Sequence, residues 1–286
     1  MKTLEKETVA ITGATGGLGR EIAFFLAEKG ADIIMLDRNT ERSLALREEI
    51  ISRFPEVNIK NIRLDLTDIE NVKEVTETLK SEKLYAIIHN AGAYKIPREK
   101  CSTGYDNVFQ INFLSPYYMT KELIPSLREN GGRVVVVGSI AHNYSKTDET
   151  DVDFKTRDKC SLVYGNAKRY LMFSLYRLFE KEASAKLSVT HPGITLTGIT
   201  SHYPKIIFAL IKHPMKVIFM SPKKAARSII EGLFTSTGYC EWIGPRFFNI
   251  WGNPSKKKLS TVGDKEIDSI FQNAEKAYEK IKSQVL

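Results

Sequence analysis

Val9-Ala10-Ile11-Thr12-Gly13-Ala14-Thr15-Gly16-Gly17-Leu18-Gly19 is the stretch on which the reading of this chain turns. Val9 to Thr12 is a short apolar run of the kind a buried strand shows, and the glycine cluster follows at once. Beyond it lies an amphipathic helical pattern with Ile22, Phe25 and Leu26 on one face. Strand, glycine loop and helix start, in that order, make an anion site. Glycines let the backbone approach a pyrophosphate, and the first helical amides have no acceptor of their own. Gly13, Gly17 and Gly19 are spaced GxxxGxG, with Thr15 and Leu18 inside the loop. The same run also reads GxxGxxG through Gly13, Gly16 and Gly19. A plain glycine-rich turn that binds nothing is the competing explanation.

Outward from the loop, strand and helix signals alternate. A second strand, Asp32 to Leu36, ends at Asp37-Arg38, about twenty residues after the glycines, where a carboxylate can bind both ribose hydroxyls of an adenosine. Asp37 would repel a 2′-phosphate and Arg38 would attract one. NAD(H) is favoured over NADP(H), because the carboxylate takes the position nearest the ribose and no Lys or Arg lies inside the loop. Arg38 would otherwise stack on adenine or lie in solvent. A polar helix, Glu41 to Arg53, leads to a strand over Ile59 to Leu64 and then to Asp65-Leu66. Asp65 either accepts from the adenine amino group or caps the next turn. A helix over Ile69 to Leu79 and a strand over Tyr85 to Ile88 run into His89-Asn90-Ala91-Gly92, whose small residues leave room for a ligand at a strand's carboxyl end. This alternation predicts an α/β fold: a doubly wound Rossmann-type domain with a central parallel sheet flanked by helices. Residues 1–286 read as one domain, with a small helical substrate lid over about 198–221 and a C-terminal extension over about 245–286.

A helical stretch from Gly104 to Arg128 contains Asn112, and a strand over Arg133 to Val137 ends at Gly138-Ser139. A polar loop, Ala141 to Lys159, precedes Tyr164-Gly165-Asn166-Ala167-Lys168. Tyr164 and Lys168, four apart, share one helix face. A phenol ordinarily titrates near ~10, and an ammonium beside it, with a cationic cofactor ring nearby, favours the phenolate, giving a general acid or base usable near neutrality. Leu187 to Thr190 reads as a further strand, followed by His191-Pro192-Gly193.

Taken together, Gly13/Gly17/Gly19, Asn90-Ala91-Gly92, Asn112, Ser139 and Tyr164/Lys168 resemble the short-chain dehydrogenase/reductase family over about residues 8 to 245. The compact single-domain branch is the most similar, and within it the retinol-dehydrogenase-like members. Arg133-Val134-Val135-Val136-Val137-Gly138-Ser139-Ile140-Ala141-His142 and His191-Pro192-Gly193 carry that finer likeness. The resemblance implies an NAD(P)-dependent oxidoreductase interconverting an alcohol and a carbonyl. Tyr164 would be the acid/base and also a cofactor contact, and Ser139 would hydrogen-bond the substrate oxygen. Lys168 would bind the nicotinamide ribose and lower the tyrosine's pKa, and Asn112 would hold a relay water. Pro192, Gly193, Ile194 and Thr197 would contact the nicotinamide carboxamide. The sequence departs from the family pattern at His89, which replaces an asparagine, and at Val136 and Gly138, which replace an asparagine and a serine.

The bulk numbers narrow the partners. A net charge of +8 suits an anionic cofactor or membrane surface. No basic run is interleaved with aromatics as single-strand nucleic-acid binding requires, so no nucleic acid is expected. Cys101, Cys160 and Cys240 are scattered and carry no metal-ligand spacing, so no metal is expected and reduced cytoplasmic thiols fit best. Met1 to Thr8 lacks an apolar h-region, so no secretory signal is expected. Ile206 to Met220 is apolar but broken by Lys212, His213 and Pro214, too short to span a bilayer. A greasy lid there suits a hydrophobic alcohol or carbonyl. Lys205, Lys212 and Lys216 leave room for weak peripheral contact with an anionic membrane. His202 and His213 read as surface residues, and a homo-oligomeric contact is the lid's other use. Trp242, Trp251, Phe247 and Phe248 line either the pocket's far wall or the core, with core favoured; Lys256-Lys257-Lys258 reads as a solvated turn, and Asp264 to Lys282 as a final amphipathic helix, docked or loosely held. Two other functions compete. One is a catalytically silent cofactor sensor. The other is an epimerase- or dehydratase-type enzyme, which would need a larger C-terminal substrate domain.

Overall fold

The computed structural model describes residues 3–194 and 220–283. The expected lid, apart from Met220 and Ser221, lies outside them, as do Thr197, His202 and His213. Eight strands form one sheet: β1 (Thr8–Thr12), β2 (Asp32–Asp37), β3 (Ile59–Arg63), β4 (Leu84–His89), β5 (Arg133–Val137), β6 (Lys186–Thr190), β7 (Glu241–Phe247) and β8 (Trp251–Lys258). Their spatial order is β3-β2-β1-β4-β5-β6-β7-β8, parallel throughout except for the antiparallel β7–β8 pair. The chain winds from β1 out to β3, then returns to place β4 on the other side of β1. The crevice outside β1 and β4 is therefore the switch point where open α/β sheets bind ligands.

The inner strands are nearly continuous apolar runs because both faces are covered. Along β1 and β2 the side chains alternate between two cores. Val9, Ile11, Ile33 and Met35 join the core that meets helices α1 (Gly17–Glu28), α2 (Thr40–Arg53) and α7 (Pro222–Gly232). Ala10, Ile34 and Leu36 join the core under α3 (Ile69–Lys80), α5 (Ser115–Glu129), α6 (Cys160–Phe179) and α8 (Asp264–Ser283). A short α4 (Asn107–Phe109) runs into a π-helical turn, Gln110–Leu114, and then into α5. The single helix read from Gly104 to Arg128 is thus interrupted, and the interruption surrounds Asn112.

Two readings of the C-terminal third need correction. Lys256-Lys257-Lys258 is not a turn but the end of edge strand β8, in register with Ile243, Trp242 and Glu241 of β7. Trp242 is core, but Phe247, Phe248 and Trp251 are 57%, 83% and 39% exposed at the β7–β8 connection. Phe248 and Asn249 there adopt positive φ, so the tight reversal turns their side chains out of the core. The final helix α8 is firmly docked. Ile267, Ile270 and Ile281 are fully buried, worth roughly 2 kcal/mol each. Lys121 reaches Glu275 at 2.7 Å as well. No described helix is long and apolar enough to cross a membrane, and the three cysteines are unpaired.

Candidate active site

The glycine loop leaves β1 through Gly13, whose φ of +68° is a left-handed conformation that glycine adopts without strain. α1 begins with Gly16 as its N-cap, no side chain caps it, and no acidic residue sits in its first turn. Its amides are therefore open to an anion. Gly19 allows the helix to close onto the strand: a Cβ there would lie 2.1 Å from the Gly13 carbonyl oxygen and 2.9 Å from Ala14 Cα. Gly19→Ala is expected to lower stability by about 2 kcal/mol or more and weaken dinucleotide affinity at least about tenfold, because backbone must move in both places. Cofactor fluorescence titration and a urea midpoint measure the two effects, and an unaltered affinity would detach the loop from the cofactor.

Asp37 is buried at the end of β2. One carboxylate oxygen accepts from the Thr15 amide at 3.1 Å and its hydroxyl at 3.0 Å, and the other accepts from Ser43 at 2.9 Å. The carboxylate is thus fixed against the loop, whereas Arg38 is exposed. Asp65 Oδ1 caps the next turn, accepting from Thr67 N at 3.0 Å and Thr67 Oγ1 at 2.7 Å. The Leu66 carbonyl accepts from Ser115 and Gln110, which pins α5 and its π-turn to β3's exit.

Asn90 spends its side chain on structure, donating to the Thr12 and Gly13 carbonyls at 3.0 Å each. The Thr12 hydroxyl accepts from the Asn90 and Ala91 amides at 3.1 and 3.0 Å. Those bonds join β1's exit to β4's, and neither Thr12 nor its role stood out in the sequence. Gly92 is exposed beside Asn112 and Lys168: a Cβ on it would lie 2.9 Å from Asn112 Oδ1 and 3.7 Å from Lys168 Nζ. Asn112, fully buried in the π-turn, donates to Ala93 O at 2.8 Å and Val108 O at 2.9 Å.

Ser139, Tyr164 and Lys168 converge at the end of β5. The Ser139 hydroxyl lies close enough to that of Tyr164 to stabilise its phenolate. Lys168 Nζ donates to the Val137 carbonyl at 2.9 Å and lies 5.7 Å from the Tyr164 ring centroid. The expected electrostatics differ from those found. Burial pushes the Tyr164 phenol up to about 12, more than the Ser139 bond lowers it, with the Tyr94 and Tyr144 phenols adding to the rise. Burial also lowers Lys168 to about 8. The Lys168 ammonium is engaged by the Val137 carbonyl and does not offset the phenol's desolvation. Tyr164 therefore rests protonated.

Two aromatic neighbours were not read from the sequence. Tyr94 packs edge-on against Tyr164 with centroids 5.3 Å apart. Tyr144, 54% exposed, stands beside the helix turn of Gly165. The only signal for either was a tyrosine two residues past Asn90-Ala91-Gly92 and another five past Ser139. The departures from the family pattern have local causes. At Gly138 a Cβ would lie 2.8 Å from Met172 Sδ, so the methionine side chain would have to shift to admit one. His89 is buried with Nε2 3.0 Å from Thr120 Oγ1. Pro192 is buried, and Gly193, at φ +82°, abuts the Ile250 carbonyl, which would lie 2.9 Å from a Cβ there. The Ile194 carbonyl accepts from Met220 N at 3.0 Å. The site thus gathers residues from the ends of β1, β2, β4, β5 and β6.

The uncapped helix, the left-handed Gly13, the exposed Gly92 and the fixed Asp37 fit a dinucleotide. Comparisons with known proteins agree. The family model described as short chain dehydrogenase matches residues 7–150. An oxidoreductase from Schizosaccharomyces pombe is 30% identical over 242 residues, spanning 78% of this chain and 70% of its own. Retinol dehydrogenase 12 from Mus musculus is 28% identical over 235 residues, spanning 79% and 72%. Among solved structures, a Sphingobium yanoikuyae short-chain dehydrogenase in complex with NADPH superposes with TM-score 0.63 at 18% identity, covering 98% of this chain and 96% of that one.

Proposed function

The chain belongs to the short-chain dehydrogenase family of NAD(P)-dependent oxidoreductases, and from that premise we propose that it interconverts a hydrophobic alcohol and its carbonyl, with Tyr164 as general acid/base. The observation that carries this reading is the convergence of Ser139, Tyr164 and Lys168 beside an open dinucleotide crevice. The bound nicotinamide would supply or accept the hydride. The loop Gly13–Gly19 would hold its pyrophosphate, Asp37 its adenosine ribose, and Lys168, near Gly92, its nicotinamide ribose. Pro192, Gly193 and Ile194 would flank the carboxamide.

As carbonyl carbon is reduced, negative charge builds on oxygen. Ser139 and Tyr164 donate to that oxygen and Tyr164 delivers the proton. Oxidation of an alcohol reverses the transfer and requires the phenolate. The protonated resting state of Tyr164 is the form that carbonyl reduction uses. Asn112 in its π-turn would hold a water relaying protons to Lys168. The apolar run Ile206 to Phe219 and the exposed Tyr144 support a hydrophobic substrate, and the lysines of that run support weak membrane-surface contact. Unpaired cysteines accord with a reducing, cytoplasmic location. Purified protein mixed with NADH or NADPH and a panel of aldehydes and ketones tests the reading. Cofactor binding with no turnover on a broad panel would favour a sensor.

NAD(H) is the cofactor that Asp37 supports, although the Sphingobium neighbour holds NADPH. A buried carboxylate at the ribose opposes a 2′-phosphate more than a solvated Arg38 attracts it. Asp37→Ala should weaken NADH about tenfold or more and strengthen NADPH, as read by fluorescence titration. A wild-type protein that already prefers NADPH strongly would reverse the assignment.

A further inference from the structure

The turn carrying Ser139 is held from behind by a histidine that the proposed chemistry does not use. Ser139 caps the short 3-10 turn Ile140–Asn143, its hydroxyl accepting from Ala141 N at 3.2 Å. His142 is fully buried, with Nδ1 2.6 Å from the Ser139 carbonyl oxygen. A carbonyl can only accept, so Nδ1 carries the hydrogen and Nε2 is bare. The bare nitrogen accepts from the Thr261 hydroxyl at 3.0 Å. Phe173 and Trp242 pack against the ring at 5.6 and 5.7 Å.

The backbone of the same residue is tied as well. Its carbonyl accepts from Arg169 Nη1 at 2.7 Å, and buried Arg169 makes a two-bond pair with Glu266, each bond 2.8 Å. Glu266 also accepts from Thr147 N at 3.3 Å and Thr147 Oγ1 at 3.2 Å. Ring and backbone of His142 thus lead to Thr261, just before α8, and to Glu266 in its first turn. That helix lies beyond the residues the family model matches, 7–150.

We propose that His142 is a positioning residue for Ser139, and that through Thr261 and Glu266 the C-terminal segment sets the reactive geometry. The proposal rests on the reading of Ser139 as donor to the substrate oxygen. A donor aids an oxyanion only when held at about 2.7–3.1 Å from it, and a misplacement of about 1 Å costs about 100-fold. The Ser139 oxygen is itself placed by the turn, and the turn by the His142 bond to the Ser139 carbonyl.

The test uses the full chain with NADH and two probes, decanal and benzaldehyde. His142→Phe, which removes both ring bonds, should lower kcat about 100-fold. Thr261→Val, which is nearly isosteric, should lower it about 3-fold or more. His142→Asn, which keeps a donor near the Nδ1 position, should recover part of the loss. KM for NADH should stay within about twofold in all three, since none touches the glycine loop. In a Ser139→Ala background His142→Phe should cost less than about 2-fold, because the group it positions is gone. Hydrogen exchange over residues 137–145 needs no substrate, and Thr261→Val should speed it about 5-fold or more. Equal losses from His142→Phe with and without Ser139, or unaltered exchange, would overturn the positioning role. Wild-type kcat in Ser139→Ala alone would instead defeat the site reading on which it rests.

Discussion

Tyr164→Phe should lower kcat by about 1,000-fold while leaving the dissociation constant for NADH within about twofold. A positioned general acid contributes about 10² to 10⁴, and a 1,000-fold loss corresponds to about 4 kcal/mol of transition-state stabilisation. The affinity should survive because Tyr164 sits on α6 and not in the glycine loop that would hold the pyrophosphate. The fold should survive because a phenyl ring keeps the edge contact to Tyr94 at 5.3 Å. Removing the hydroxyl also frees Ser139 without leaving a charge unpaired. Steady-state rates with an aldehyde probe, together with cofactor titration, measure both quantities. Turnover reduced less than about tenfold would take Tyr164 out of the proton path, since another group would then be delivering the proton.

The parts of the fold that were legible are those whose side chains obey one environment. β1, β2, β4, β5 and β6 are covered on both faces, so their apolar runs stand out against polar helices. β7 and β8 escape that rule. β7 contains Gly244 and Pro245, residues that weaken a strand pattern, and pairs with β6 at a single position. β8 is an edge strand carrying Pro254 and three lysines, and such charge guards an open edge against aberrant pairing. A polar edge strand resembles a solvated turn until its partner is known. At the site, the Tyr164–Lys168 spacing was visible because one helix carries both. The Val137 carbonyl that holds Lys168 was not, because a backbone acceptor 31 residues away leaves no mark in composition. The balance of effects on the tyrosine was not legible for a related reason: the neighbouring charge can be read from the sequence, but the burial that opposes it cannot.

Acidification from pH 7 to pH 5 should cost this protein about 6 kcal/mol of stability, enough to unfold a domain of ordinary stability. Three buried histidines set the size. Burial and the Lys168 charge lower His89 to about 3. Burial lowers His142 to about 4, assisted by Arg169 and opposed by its bond to Ser139. Burial lowers His191 to about 4, with His142 and Lys257 adding to the fall, while its ring stacks on Trp242 at 4.7 Å. An unfolded histidine takes a proton near ~6.5. Below that pH the unfolded chain binds more protons than the folded one, so stability falls as pH falls, until the folded values near 4 are passed. At pH 5 each such group contributes a loss of about 2 kcal/mol. Carboxylates titrate mainly below this window, so its upper part belongs to the histidines. Urea midpoints at pH 7 and pH 5 measure the fall, and His89→Asn should remove about a third of it by replacing the most depressed of the three with a group that does not titrate. Equal midpoints at the two pH values would mean that these rings are protonated in the native state. The neutral His142 that accepts from Thr261 would then be lost with them.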